Sequence, residues 1–114
     1  MTLARYYARA GGDQTLIATV VAELRSRWDP EREFQAPDGE YAAESHALAI
    51  LGILATGGDT AGVKGYLRRA EIAVLGEPRT TSPERGALAE WIWRAMVDTA
   101  VRISNAAGES NRAT

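Results

Sequence analysis

The sequence predicts an all-α fold, with four main helices and a short N-terminal one packed as a compact bundle or an orthogonal array. Three observations carry this expectation. Alanine fills 21 of the 114 positions, and it adopts helical geometry without losing side-chain entropy. Apolar residues recur at i, i+3, i+4 and i+7 in successive segments, and no convincing pair of strands can be read. Glycine and proline clusters then separate the segments from one another. A chain this short closes around one core, burying roughly two-thirds of its unfolded surface. The expected organisation is a helical domain over residues 1–105 and a frayed tail over residues 106–114.

The first helix is expected over residues 2–10, where Leu3, Tyr6, Tyr7 and Ala10 share one face. Gly11 and Gly12 end it, and Asp13 caps a second helix over residues 14–28. Leu16, Ile17, Val20, Val21, Leu24 and Trp28 line one side of that helix. A strand around Ile17 to Val21 is the competing expectation, and the spacing favours helix. Asp29-Pro30 stops it, because proline disfavours helical geometry in the preceding residue.

A loop with a turn at Pro37-Asp38-Gly39 leads to a third helix over residues 40–56. This helix is apolar all round from Ala47 to Ala55, which predicts a central position. Gly57-Gly58-Asp59 repeats the earlier glycine-glycine-aspartate sequence and opens a fourth helix over residues 60–75. That helix is expected to bury Val63, Tyr66, Leu67, Ala70 and Val74 and to expose Lys64, Arg68 and Glu71. After Gly76-Glu77-Pro78, the fifth helix opens at Ser82-Pro83-Glu84, with serine as cap and proline at the first helical position.

On the last helix Glu90, Arg94, Asp98 and Arg102 follow one another every four residues, a solvated and charge-paired stripe. Leu88, Trp91, Ile92, Ala95, Met96, Thr99 and Ile103 form the expected core face. Ala89, Trp93, Val97 and Ala100 extend the apolar arc beyond it, to about two-thirds of the helix circumference. Either this helix is central and Trp93 is buried, or these four residues form an apolar patch for a partner.

The composition excludes much chemistry. Without cysteine there are no disulfides, iron–sulfur clusters or thiol nucleophiles, and zinc is disfavoured. His46, the single histidine, cannot form a two-histidine metal site. At the edge of an apolar helix it is expected to pack or hydrogen-bond rather than catalyse. No hydroxyl lies in a GxSxG elbow, and the glycine pairs lack the lysine of a phosphate loop. No catalytic residue is therefore assigned.

A net charge of −2 argues against a dedicated nucleic-acid binder, despite the pairs Arg25/Arg27 and Arg68/Arg69. The longest run without a polar residue, Ala47 to Ala55, has nine residues, about half a membrane span. The N-terminus lacks the apolar core of a signal peptide. A cytoplasmic protein without a membrane segment is expected.

Six acids gather between Asp29 and Glu44, and Glu40 and Glu44 stand one turn apart on one helix. Such a pair can hold a divalent cation with acids from a facing helix. In chain size and acid-bearing helices this resembles the MazG-like all-α nucleotide pyrophosphohydrolases. Those hold Mg²⁺ with an ExxE pair on one helix and an ExxD pair on another. The resemblance implies Glu40 and Glu44 as Mg²⁺ ligands, but here the spacing is Glu-x3-Glu and no ExxD follows.

A second resemblance covers residues 44–75. The run Gly58-Asp59-x3-Val63-x2-Tyr66-x3-Ala70 is similar to the second helix of a tetratricopeptide repeat. Leu51 and Leu75 depart from that pattern at positions where a small residue and a proline are usual. One such unit cannot form a solenoid, which needs about three repeats.

The expected function is a non-enzymatic helical interaction or adaptor protein that needs no cofactor. It would pair with a second copy, or with another protein, through Ala89, Trp93, Val97 and Ala100. The alternatives are an Mg²⁺-dependent nucleotide pyrophosphohydrolase-like enzyme using Glu40 and Glu44, and a small regulator contacting nucleic acid.

Overall fold

The computed structural model describes residues 4–29 and 40–112, with side chains described for 5–29 and 43–108. The described residues form five α-helices and no strand: α1 (Ala4–Gly11), α2 (Gln14–Glu23), α3 (Glu40–Ala55), α4 (Thr60–Leu75) and α5 (Ser82–Arg112). A single π-helical turn, Leu24–Trp28, extends α2. The expected turn at Pro37-Asp38-Gly39 lies outside the described residues.

Local chemistry explains the boundaries. Asp13 Oδ1 accepts from the Leu16 N–H at 2.8 Å, capping α2, and Asp59 Oδ1 accepts from the Gly62 N–H at 3.0 Å, capping α4. The α3–α4 turn needs both of its glycines. Gly57 adopts φ 95°, and the Gly57 and Gly58 N–H groups return to the carbonyls of Leu54 and Ile53. A Cβ on Gly58 would stand 2.6 Å from both Cγ2 and the carbonyl oxygen of Ile53. The α1–α2 turn works differently, with no left-handed glycine. There a Cβ on Gly11 would make only ordinary contacts, with Ala55 Cβ at 3.4 Å and Met96 Cε at 3.6 Å.

The start of α5 corrects the expected cap. Ser82 is already helical, and Thr81 is the cap. The Thr81 N–H donates to Glu84 Oε1 at 3.1 Å, while the Glu84 N–H donates to Thr81 Oγ1 at 3.2 Å. This reciprocal capping box matches the T-x-x-E sequence. Hydrogen bonding from the Thr81 backbone and side chain holds the exposed Glu84 carboxyl below its usual range. At its other end α5 continues to Arg112, and Ala107 packs against the core.

The core gathers Leu24, Ile50, Leu51, Leu54, Leu67, Ile92 and Met96, all essentially inaccessible. On α5 the buried arc is turned from the expected one. Ala89 and Ala100 are fully buried, whereas Trp91, Ala95 and Ile103 are only half-buried. The reason is α1, which packs along α5 and covers the side left open in the sequence-based expectation. Similarly, α3 is not enclosed on every side: Leu48 is 46% exposed and Gly52 faces open space. Among the described residues no helix is long and apolar enough to cross a membrane.

Candidate functional site

The fold brings polar side chains together at the junction of α2, α3, α4 and α5. The π turn is their starting point. An additional residue per turn, closed by the Asp29 N–H on the Leu24 carbonyl at 2.8 Å, swings both Trp28 and Asp29 inward. Single π turns recur at functional positions because they re-aim side chains that a regular helix would hold elsewhere.

Trp28 Nε1 donates to Glu71 Oε2 at 3.1 Å. Glu71, on α4, is fully buried. Its Oε1 accepts from the backbone N–H groups of Arg79 and Thr80 at 2.6 and 2.7 Å, and its Oε2 accepts from the Thr80 hydroxyl at 2.8 Å. Burial pushes this carboxyl up, but the bonds from Thr80, Trp28 and Arg79 together outweigh it and hold the group below its usual range. Arg85 Nη1 lies 4.0 Å from Glu71 and donates to the Thr80 carbonyl and, at 3.3 Å, to the Thr80 hydroxyl. One carboxylate thus ties the α4–α5 loop to the π turn.

Beside this network His46 Nδ1 and the Tyr66 hydroxyl are 2.7 Å apart, and the Trp28 ring stands edge-on to the imidazole at 5.2 Å. Burial lowers the His46 pKa against the opposing attraction of Asp29, so the ring is neutral at pH 7. Burial raises the Tyr66 pKa. This pair can share one proton, and no serine or threonine hydroxyl is hydrogen-bonded to the imidazole among the described residues. The expectation of a hydrogen-bonded His46 matches this geometry.

Two residues on α4 exchange their expected places. Glu71 was expected to face solvent and is buried, whereas Val74 was expected in the core and is 51% exposed. The signal was in the spacing: Val63, Leu67 and Glu71 fall four residues apart on one stripe, with Glu71 occupying a core position. Arg85, buried to 8% exposure, and Trp28 gave no indication in sequence that they share a network with it.

The proposed interface quartet divides in two. Ala89 and Ala100 are interior residues of this chain and no part of an exposed patch. Trp93 and Val97 are half-buried, and the Trp93 ring meets Tyr7 edge-on at 5.4 Å. Val101, one turn beyond Val97, is 36% exposed and extends the same row. The stripe of charges beside it contains the exposed Arg94–Glu90 pair at 3.4 Å.

The Glu40 side chain lies outside the described residues, and Glu44 is exposed on the rim of an apolar groove between α2 and α3, with Arg25. Among the described residues no three His, Asp or Glu side chains stand close enough to hold a metal ion. Of the basic pairs, Arg27 is bonded to Glu23 at 3.1 Å and Arg25 is half-buried, while Arg68 and Arg69 are exposed.

No protein family, curated protein or solved structure matches this chain.

Proposed function

We propose that this chain is a non-enzymatic helical interaction protein that pairs with a second copy of itself through the outer face of α1 and α5. The observation that carries the proposal is the row Trp93, Val97 and Val101, with Tyr7 holding Trp93 edge-on from the neighbouring helix. An aromatic anchor continued by aliphatic residues and edged by charge has the composition of an interface core and rim. The edging charges, Glu90 and Arg94, carry both signs, so a symmetric copy can be seated with opposite charges facing one another. Ala89 and Ala100 contribute from beneath, by packing the helix that presents the row.

Light scattering over a wide concentration range tests this. The wild-type chain is expected to reach twice the monomer mass as concentration rises, and Trp93→Ala to remain at the monomer mass. A monodisperse wild-type monomer at high concentration, unchanged by Trp93→Ala, would sink the proposal.

A further inference from the structure

A cleft of about 430 Å³ opens beside the Glu71 network, at the start of α5. Its volume falls in the range of small-molecule pockets, about 300–1,000 Å³. Trp28, Pro83, Ala87 and Leu88 supply its apolar lining, and Arg85 supplies a cation.

Arg85 is nine-tenths buried and held in place. Its bonds to the Thr80 carbonyl and hydroxyl use Nη1 alone. Nε and Nη2 make no hydrogen bond among the described residues. The single enclosed, unpartnered polar side-chain atom among those residues is Arg25 Nε. Neither Nε nor Nη2 of Arg85 is enclosed without a partner, and Arg85 is one of the residues that line the cleft. These two nitrogens form the side-on edge of a guanidinium, a planar pair of donors matched to the two oxygens of a carboxylate.

We propose that this cleft is a binding site for a small organic carboxylate, seated bidentately on the Nε/Nη2 edge of Arg85 with its apolar body over Ala87 and Leu88. The fixed guanidinium is preorganised, so little side-chain freedom is lost on binding. The surrounding charge selects a monoanion. Glu71 stands 4.0 Å behind Arg85, and Glu84 and Arg27 line the cleft with opposite signs. Glu71 and Glu84 oppose any anion in the cleft, and they oppose a phosphate dianion more strongly than a carboxylate monoanion.

NMR of the full chain, following the Arg85 Nε–H resonance at fixed ionic strength, tests the site with sodium benzoate and sodium phosphate as probes. Benzoate is expected to shift the resonance saturably, with a midpoint on the order of 1 mM for so small a ligand. Phosphate is expected to give no saturable shift. Arg85→Lys keeps the charge but lacks the fork, and is expected to weaken benzoate about tenfold or more. Because Arg85 also holds the loop through Thr80, Ala87→Trp provides a second variant that fills the cleft and leaves the guanidinium in place; it is expected to abolish the shift. No saturable response to benzoate, an equal response to phosphate, or binding undiminished in Ala87→Trp would each overturn the proposal.

Discussion

The two halves of α5 are packed by opposite means. At its start, the helix and the loop before it are held by a buried carboxylate that accepts four hydrogen bonds, from Trp28, Arg79 and Thr80. Along its middle, α1 covers one side with Tyr7 against Trp93 and leaves Val97 and Val101 incompletely covered. Hydrogen bonds are directional, so the first region specifies one loop geometry and is complete within a single chain. Apolar contact is non-directional and grows with the area covered, so the second region can still gain by adding a partner. The difference separates a device for folding from the surface proposed for association.

The largest expected effect comes from breaking the polar half. Glu71→Ala leaves buried donors unpaired and Arg85 without its nearby carboxylate, and is expected to destabilise the chain by about 3–5 kcal/mol. Urea unfolding measures this directly, and a cost near that of an exposed substitution would contradict the central position given to Glu71.

Acid titration sharpens the same half. The folded Glu71 pKa lies below its ordinary value of 4.5, so its stabilisation is complete above that value and is lost as pH falls through the folded pKa. His46 acts in the same direction at higher pH. Its folded pKa lies below 6.5, so the unfolded chain takes up the proton first and stability declines as pH falls below that value. Thermal unfolding from pH 7 to pH 3 is expected to show both declines, with His46→Phe removing the upper one and Glu71→Gln the lower.

In the apolar half, Trp93→Ala removes a half-buried ring and is expected to cost about 2 kcal/mol, less than the roughly 3–5 kcal/mol of a fully buried tryptophan. Unfolding at low protein concentration isolates this intrachain term. A loss as large as a core tryptophan's would place Trp93 in the core and leave no surface to share.

How much was legible follows the same division. The helices and their ends could be read because glycine, proline and aspartate act through local geometry: α4 spans the expected 60–75, and Asp13 and Asp59 cap as expected. The Glu71 network could not be read, because its donors come from positions 28 and 80. A carboxylate on a helix is ordinarily solvated, and only those distant donors make its burial tolerable. The extent of α5's covered face was hidden for a related reason, since periodicity gives the width of an apolar arc but not which neighbour covers it.

The two glycine-glycine-aspartate turns illustrate the limit at small scale. They share a sequence, yet Gly57 is left-handed while its counterpart Gly11 is the last residue of α1. Gly57→Ala is expected to cost about 1 kcal/mol, and Gly11→Ala to be neutral or stabilising by about 0.5 kcal/mol. Paired denaturation curves check the contrast, and equal effects would contradict it.

The association surface is tested most directly by sedimentation velocity on Val101→Glu beside the wild-type chain. Val101 lies on the proposed face and is 36% exposed, so a charge there leaves the core intact while burying a carboxylate in any paired state. The account predicts a concentration-dependent dimer for the wild type and a folded monomer for Val101→Glu. Identical sedimentation of the two proteins at every concentration would contradict it.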